Sequence, residues 1–226
     1  MTKTRRLVIV GAGETALLAH EYFTCDSPFE VVAFSVERAF LREDRLEGLP
    51  VVPLEELAAR YAPDSHYAFV AVSYTKLNRV RTRLYQQCKA QGFRMASYVS
   101  SRAFVWRNVQ IGDNCFILEQ NVLQYAVRIG NNVTLWSGNH VGHQSIVHDN
   151  VFVSSHVVIS GYCEVGDRCF LGVNSCVADH VKVAPDCLIA AGAVVLRPTQ
   201  AAGLYQGNPA ARRPGITALQ YFQTPA

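Results

Sequence analysis

The sequence predicts two folds in one chain: a small α/β domain built on a parallel sheet, followed by an all-β solenoid. Three observations predict this. Residues 1–97 alternate β-branched runs with helical runs. From Val99 to Val195 every sixth residue is Val, Ile or Leu, seventeen in succession with no insertion. Charge is unevenly spread as well. Residues 1–97 hold 13 of the 21 Lys and Arg and 11 of the 18 Asp and Glu, whereas residues 99–195 hold five basic and seven acidic residues. The same C-terminal tract holds five of the seven histidines and five of the seven cysteines, which places a domain boundary near Tyr98.

In the N-terminal part, Leu7–Val10 is a short strand that runs into Gly11-Ala12-Gly13. Thr15–Phe23 reads as a helix, Phe29–Phe34 as a second strand and Leu54–Tyr61 as a short helix starting after Pro53. Tyr67–Val72 is a third strand and Thr75–Gln91 a long helix ended by Gly92. Strands alternating with helices imply parallel βαβ units. A glycine turn between strand and helix lets a phosphate approach backbone N–H groups at the helix N-terminus, although any parallel sheet uses tight turns there. Ala16 stands where a dinucleotide motif has its last glycine, and the acid expected after the second strand comes only as Glu37, which argues against NAD. The basic residues along Lys76–Arg94 read as a solvated helix face, with a phosphate contact the lesser option.

The solenoid follows from sterics. The residue four places after each aliphatic is always small or medium-sized, as in Cys115, Val127, Asn139, Ser145 and Cys163, so one large and one smaller side chain per hexad point inward. The position after the aliphatic is often glycine, as at Gly112, Gly130, Gly142, Gly166 and Gly172, where the chain bends. A six-residue period fits neither a helix nor one long strand, but does fit short flat strands separated by bends. Cys115, Cys163, Cys169 and Cys187 share the smaller inward position and read as buried hydrophobes rather than as ligands or disulfides.

This pattern resembles the hexapeptide-repeat, left-handed parallel β-helix family, in which three hexads make one triangular coil. In the segment Trp136–His148, the hexad phase turns Val141 and Val147 inward and leaves His143 on an outer face or corner. Three histidines in nine residues are either polar surface groups, a general base or metal ligands. Gly142–His148 resembles the γ-class carbonic anhydrases of the same fold, but two coils before His143 stands Arg107 and one coil before stands Tyr125. A catalytic zinc site wants three protein ligands, so no metal is expected.

From residue 6 to about 213 the chain resembles bacterial sugar acyltransferases that join a Rossmann-like domain to a left-handed β-helix. These include the sialic acid O-acetyltransferase type and the nucleotide-linked amino-sugar N-acetyltransferases. The resembling residues are Val10–Gly13, the tract from His143 to Ser175, Ala190–Ala193 and Gly207-Asn208-Pro209-Ala210. The resemblance implies a Rossmann-like nucleotide-sugar-binding domain over 1–97, a β-helix acyltransferase domain over 98–197, and a C-terminal loop and tail over 198–226. It implies a homotrimer using acetyl-CoA, with His143 as general base, oriented by Gln144. Gly161, Val173, Ala191, Gly192, Gly207, Asn208 and Pro209 would meet the cofactor, with the Gly161 N–H a candidate oxyanion donor. Gly11, Gly13, Glu14, Ser35, Ser73 and His140 would bind the nucleotide-linked sugar. The family usually has an acid where Gln144 stands, and some members have a histidine where Phe152 stands. Acids after the second strand appear here as Ser35 and Val36.

The expectation is therefore acetyl transfer to the amine of a nucleotide-linked deoxyamino sugar, in surface-polysaccharide synthesis. O-acetylation of a sugar hydroxyl, a carbonic-anhydrase-like metal enzyme and a non-catalytic trimeric scaffold are the alternatives. A net charge of +3 gives no case for nucleic acid or a membrane surface, no apolar run is long enough to span a bilayer, and a basic start without an apolar leader suggests the cytoplasm.

Overall fold

The computed structural model describes residues 2–223. It divides into two compact units, one of residues up to Ser73 with Arg81–Tyr98, the other of Tyr74–Val80 with residues from Val99 onward.

The first unit is a six-stranded sheet. Its elements are β1 (Arg5–Val10), α1 (Glu14–Cys25), β2 (Phe29–Val36), β3 (Arg45–Leu46), β4 (Leu49–Pro53), α2 (Leu57–Arg60), β5 (His66–Val70), α3 (Arg79–Ala90) and β6 (Arg94–Met95). The sheet order is β3-β4-β2-β1-β5-β6, parallel except for the β3–β4 hairpin. Leu7–Val10 of β1 are all buried, as a central parallel strand requires. At the end of β1, Gly11 has φ +134°, and a Cβ there would lie 2.6 Å from the Ala71 carbonyl oxygen, so only glycine fits.

Two features of this unit depart from the sequence reading. The hairpin β3–β4 turns through Glu47 (φ +47°) and Gly48 (φ +75°), whereas no strand is expected between Phe34 and Leu54. A two-residue strand and a Pro-flanked one carry too little period-2 signal to show in the sequence. The long helix starts at Arg79 rather than Thr75, because Lys76, Leu77 and Asn78 all adopt left-handed φ of +53°, +50° and +63°. Each such non-glycine residue costs roughly 1–2 kcal/mol. Contacts within the second unit offset the cost. Leu77 is fully buried against Leu188, Leu204 and Ala218, and Asn78 Nδ2 donates to the Cys169 carbonyl at 3.2 Å. Arg79 and Arg168 both pair with Asp186, at 3.0 and 2.9 Å.

The rest of the second unit is a triangular parallel β-helix. Two-residue strands stack in register at an interval of 18 residues, as Phe116↔Thr134, Val122↔His140 and Arg128↔Ile146 illustrate for its three faces. The inward aliphatics from Ile117 to Val195 are all buried, and with them Cys115, Cys163, Cys169 and Cys187, all free thiols. Burial holds the Cys169 thiol well above its ordinary range, so it stays protonated and packs as a small hydrophobe. Each corner needs one residue in the left-handed region, and these recur every six residues from Asn114 through Gln144, His156 and Tyr162 to Gly192. Asparagine tolerates that conformation best among residues with a side chain, and Asn114, Asn132 and Asn150 stack as a ladder with amide bonds of 2.7 and 2.8 Å.

The first face is covered from outside. Phe152 and Phe170 stack at 5.6 Å, Tyr74 packs edge-on against both, and Phe222 reaches Phe170. Residues 198–223 are therefore more than a plain loop and tail. Within the described part, Gly203–Gln206 extends the first face beside Leu188–Ile189, Ala211–Thr217 returns antiparallel, and Ala218–Tyr221 closes as a helical turn capped by Thr217. Among the described residues no helix is long and apolar enough to cross a membrane.

Leu171→Ala, which empties a fully buried inward position, should cost about 2–5 kcal/mol of stability. Leu196→Ala, at a 54 % exposed site, should stay within about 0.5 kcal/mol. Denaturant unfolding of both variants checks the contrast.

Candidate active site at a corner of the coil

The corner that joins the second face to the third carries the residue after next from each inward aliphatic: Tyr125, His143, Gly161 and Asp179, one above another. His143 is exposed here. Its ring lies under the backbone of Gly161, and a Cβ on Gly161 would sit 2.6 Å from Cε1 and 2.9 Å from Nε2. Tyr162 meets the imidazole edge-on at 5.0 Å and itself stacks on His180 at 4.8 Å. The ring is thus bounded above by peptide and on one side by an aromatic, and is open elsewhere.

Hydrogen bonds at this corner change the sequence reading twice. Gln144, expected to orient His143, occupies the left-handed corner position with φ +57° and makes no side-chain hydrogen bond to His143 among the described residues. A different glutamine does so. Gln124 Oε1, from the coil below, accepts from the His143 backbone N–H at 3.0 Å and faces Nδ1 at 3.4 Å. Nothing in a linear spacing rule marks a residue 19 positions earlier; only the coil stacking does. The Gly161 N–H, expected as an oxyanion donor, is already given to Asp179 Oδ1 at 2.8 Å.

The other histidines lie elsewhere. His140 points outward from the second face, between Val122 and Val158. His148, beyond the third face, bonds Glu164 Oε1 at 2.9 Å; this bond, with that of Lys182, holds the Glu164 carboxyl below its usual range. His156 packs over Gly138 at the corner between the first and second faces. Among the described residues no three His, Cys, Asp or Glu side chains converge as a metal site.

The residues expected at the cofactor fall on two corners. Gly161 lies at one edge of the second face. Val173, Ala191 and Gly192 lie at the other, stacked through the Gly192 N–H and the Val173 carbonyl at 2.8 Å. Val173, Ala191 and Gly192 are exposed, as are Gly207, Asn208 and Pro209 in the turn after Gly203–Gln206. The second face between these corners is mostly apolar around His140, with Phe104 and Val158 exposed on its strands, and Trp106 and Leu196 exposed where the strands end.

The first unit has its own cavity beside the glycine turn. About 370 Å³ in volume, it is lined by Ala12, Gly13, Val36, Phe40, Arg42, Glu43, Arg45, Leu46 and Val51. This is the size of a small-ligand site, with two guanidinium groups and an aromatic on its wall. Of the sequence-predicted substrate residues within this unit, only Gly13 lines it. Gly11 closes the turn, Glu14 is exposed in the first turn of α1 and Ser73 follows β5. Ser35 is fully buried in β2, its hydroxyl without a partner among the described residues, and the neighbouring Val36 takes the wall position. Phe40, Arg42 and Arg45 escaped the sequence reading because they sit in a segment with no periodicity. Glu37 is no free acid: Arg83 grips it with two bonds of 2.8 and 2.9 Å and holds its carboxyl below the usual range.

Comparison with known proteins places this geometry. Residues 126–161 match the family described as bacterial transferase hexapeptide (six repeats), and residues 163–197 match the hexapeptide repeat of succinyl-transferase. The solenoid is a left-handed β-helix of hexapeptide repeats. Over nearly its whole length the chain shares the fold of solved bacterial proteins. The acetyltransferase domain of PglB from Neisseria gonorrhoeae is 23% identical with a TM-score of 0.83, over 93% of this chain and 100% of that one. PerB from Caulobacter crescentus, in complex with CoA and GDP-perosamine, is 24% identical with a TM-score of 0.80, over 92% and 96%. WeeI from Acinetobacter baumannii is 19% identical with a TM-score of 0.78, over 93% and 100%. At these identities the likeness is one of fold.

Gly161→Ala should push the His143 ring aside, since its Cβ would fall inside contact distance of three ring atoms. Stability should change by no more than about 1 kcal/mol, because the ring is exposed and free to turn. The ring-proton chemical shifts of His143 and the unfolding midpoint check this together; unchanged shifts would mean that the ring does not rest on Gly161.

Proposed function

We propose that this chain is an acetyl-CoA-dependent N-acetyltransferase acting on the amino group of a nucleotide-linked deoxyamino sugar, in surface-polysaccharide synthesis. The observation that carries the reading is His143: an exposed imidazole held at a fixed height on a hexapeptide-repeat transferase coil, with its outer edge open. An amine attacking a thioester carbonyl must shed a proton, and an imidazole titrates in the range where it can take one. His143 Nε2 accepts that proton as the carbon–nitrogen bond forms; the carbon–sulfur bond then breaks and the proton passes to the departing thiolate, leaving an amide and free CoA. No covalent intermediate with the enzyme is needed.

The cavity of the first unit supports the second half of the reading. Arg42 and Arg45 suit the two phosphates of a nucleotide diphosphate, and Phe40 suits the flat face of a base. The exposed apolar second face supports assembly into a homotrimer. A neighbouring copy on that face would set the Val173 and Ala191 corner of one subunit near the Gly161 corner of another, where a pantetheine arm could run. PerB, which shares the fold, was crystallised with CoA and GDP-perosamine.

Purified protein with acetyl-CoA and a panel of amino-sugar nucleotides should release free thiol and an acetylated product stable to mild alkali, as an amide is and an ester is not. His143→Ala should lower the rate by about 10²–10⁴-fold, the usual contribution of a positioned base. Full activity in that variant would refute the role given to His143. Arg42→Ala should raise the KM for the nucleotide sugar by roughly 10-fold or more, the loss of one charge-assisted bond, and leave the KM for acetyl-CoA alone.

A further inference from the structure

At four corner positions of this β-helix the peptide N–H donates to a side-chain oxygen of the residue 18 positions later: Asp113 to Asn131 at 3.0 Å, Asn131 to Asp149 at 2.7 Å, Asp149 to Asp167 at 3.0 Å, and Gly161 to Asp179 at 2.8 Å. His143 does not follow them. Its partner 18 positions later would be Gly161, which has no side chain and cannot acquire one without striking the imidazole. The N–H of His143 turns instead to the coil below, where Gln124 Oε1 accepts it.

That bond decides more than a backbone donor. A carboxamide presents either its oxygen or its NH₂, and a peptide N–H can only donate, so the group facing His143 must be the oxygen. The same oxygen faces Nδ1 at 3.4 Å. Nδ1 must therefore carry a proton to donate, and in the neutral ring Nε2 is left with its lone pair. Nε2 makes no hydrogen bond of its own among the described residues, and His143 is exposed. We propose that Gln124 is a positioning residue: it fixes His143 as the Nδ1–H tautomer with Nε2 free to accept a proton, the work assigned by sequence to Gln144. The inference rests on His143 being the base. Unlike a carboxylate, Gln124 sets the tautomer without adding negative charge.

The test reads the tautomer directly. Long-range ¹H–¹⁵N correlation spectra of protein labelled at histidine, with His143 assigned by its loss in His143→Ala, report which nitrogen is protonated in the neutral ring. The Nδ1–H form should dominate in the native protein, against the Nε2–H form that free imidazole side chains prefer. Gln124→Leu should shift the ring toward Nε2–H and lower kcat by roughly 10- to 100-fold with both KM values nearly unchanged, a smaller loss than removal of the base itself. Gln124→Glu keeps the acceptor, so it should keep the Nδ1–H form and move the acid limb of the kcat profile to higher pH. An Nε2–H ring in the native protein, or a tautomer unmoved in Gln124→Leu while Gln124→Glu folds normally, would overturn the proposal. The reading of His143 as base fails separately, if His143→Ala keeps its rate while the tautomer follows Gln124.

Discussion

One aliphatic side chain pointing inward every six residues is the constraint from which the rest of the second unit follows. Two residues of strand bury one such side chain, and the chain must then turn through a corner before the next. The turn needs one residue in the left-handed region, and this recurs without a break from Asn114 to Gly192. The cost of that conformation is spread along the coil and offset by hydrogen bonds between coils, strand to strand and corner to corner. Because every coil repeats at the same 18-residue interval, any side chain at a corner has a known neighbour above and below. A chemical site on such a scaffold is built by what is stacked, not by what is adjacent in sequence.

The repeat was legible in the sequence because it is one signal read many times over. The inward column, the burial of four cysteines and the outward placement of His143 all follow from its phase. The features that were not legible are each single events. The left-handed run Lys76–Asn78 interrupts a segment of good helical composition, and the burial of Leu77, the bonds of Asn78 and the Arg79–Asp186 ion pair hold it there. The β3–β4 hairpin is too short to show a period. The cavity residues Phe40, Arg42 and Arg45 belong to a stretch whose position depends on where that hairpin folds. In the first unit, then, the alternation of strand and helix was readable and the ligand wall was not.

The same contrast holds within the candidate site. His143 could be chosen from sequence, since the hexad phase turns it outward and the tract around it resembles that of hexapeptide-repeat acyltransferases. Its partner could not. Gln144 is adjacent and looks suitable on paper, yet it occupies the left-handed corner and makes no side-chain bond to the ring among the described residues. Gln124 is reached only by stepping down one coil, where its oxygen accepts the His143 peptide N–H. Gly161, one coil above, has no side chain to offer that N–H and leaves room for the ring.

A neutral partner for the imidazole bears on which nucleophile the site suits. A hydroxyl is a poor nucleophile until its proton is leaving, so its base must develop full positive charge early, and a carboxylate behind the imidazole offsets that charge. An amine in its free-base form already carries an available lone pair, and its proton becomes acidic only after the bond to carbon has begun to form. A carboxamide such as that of Gln124 directs the imidazole and supplies no charge, which meets the lighter demand of the amine and not the heavier one of the hydroxyl. In the function proposed, the choice of amide over ester formation would rest on the chemistry of one oxygen atom, the one that faces Nδ1 of His143.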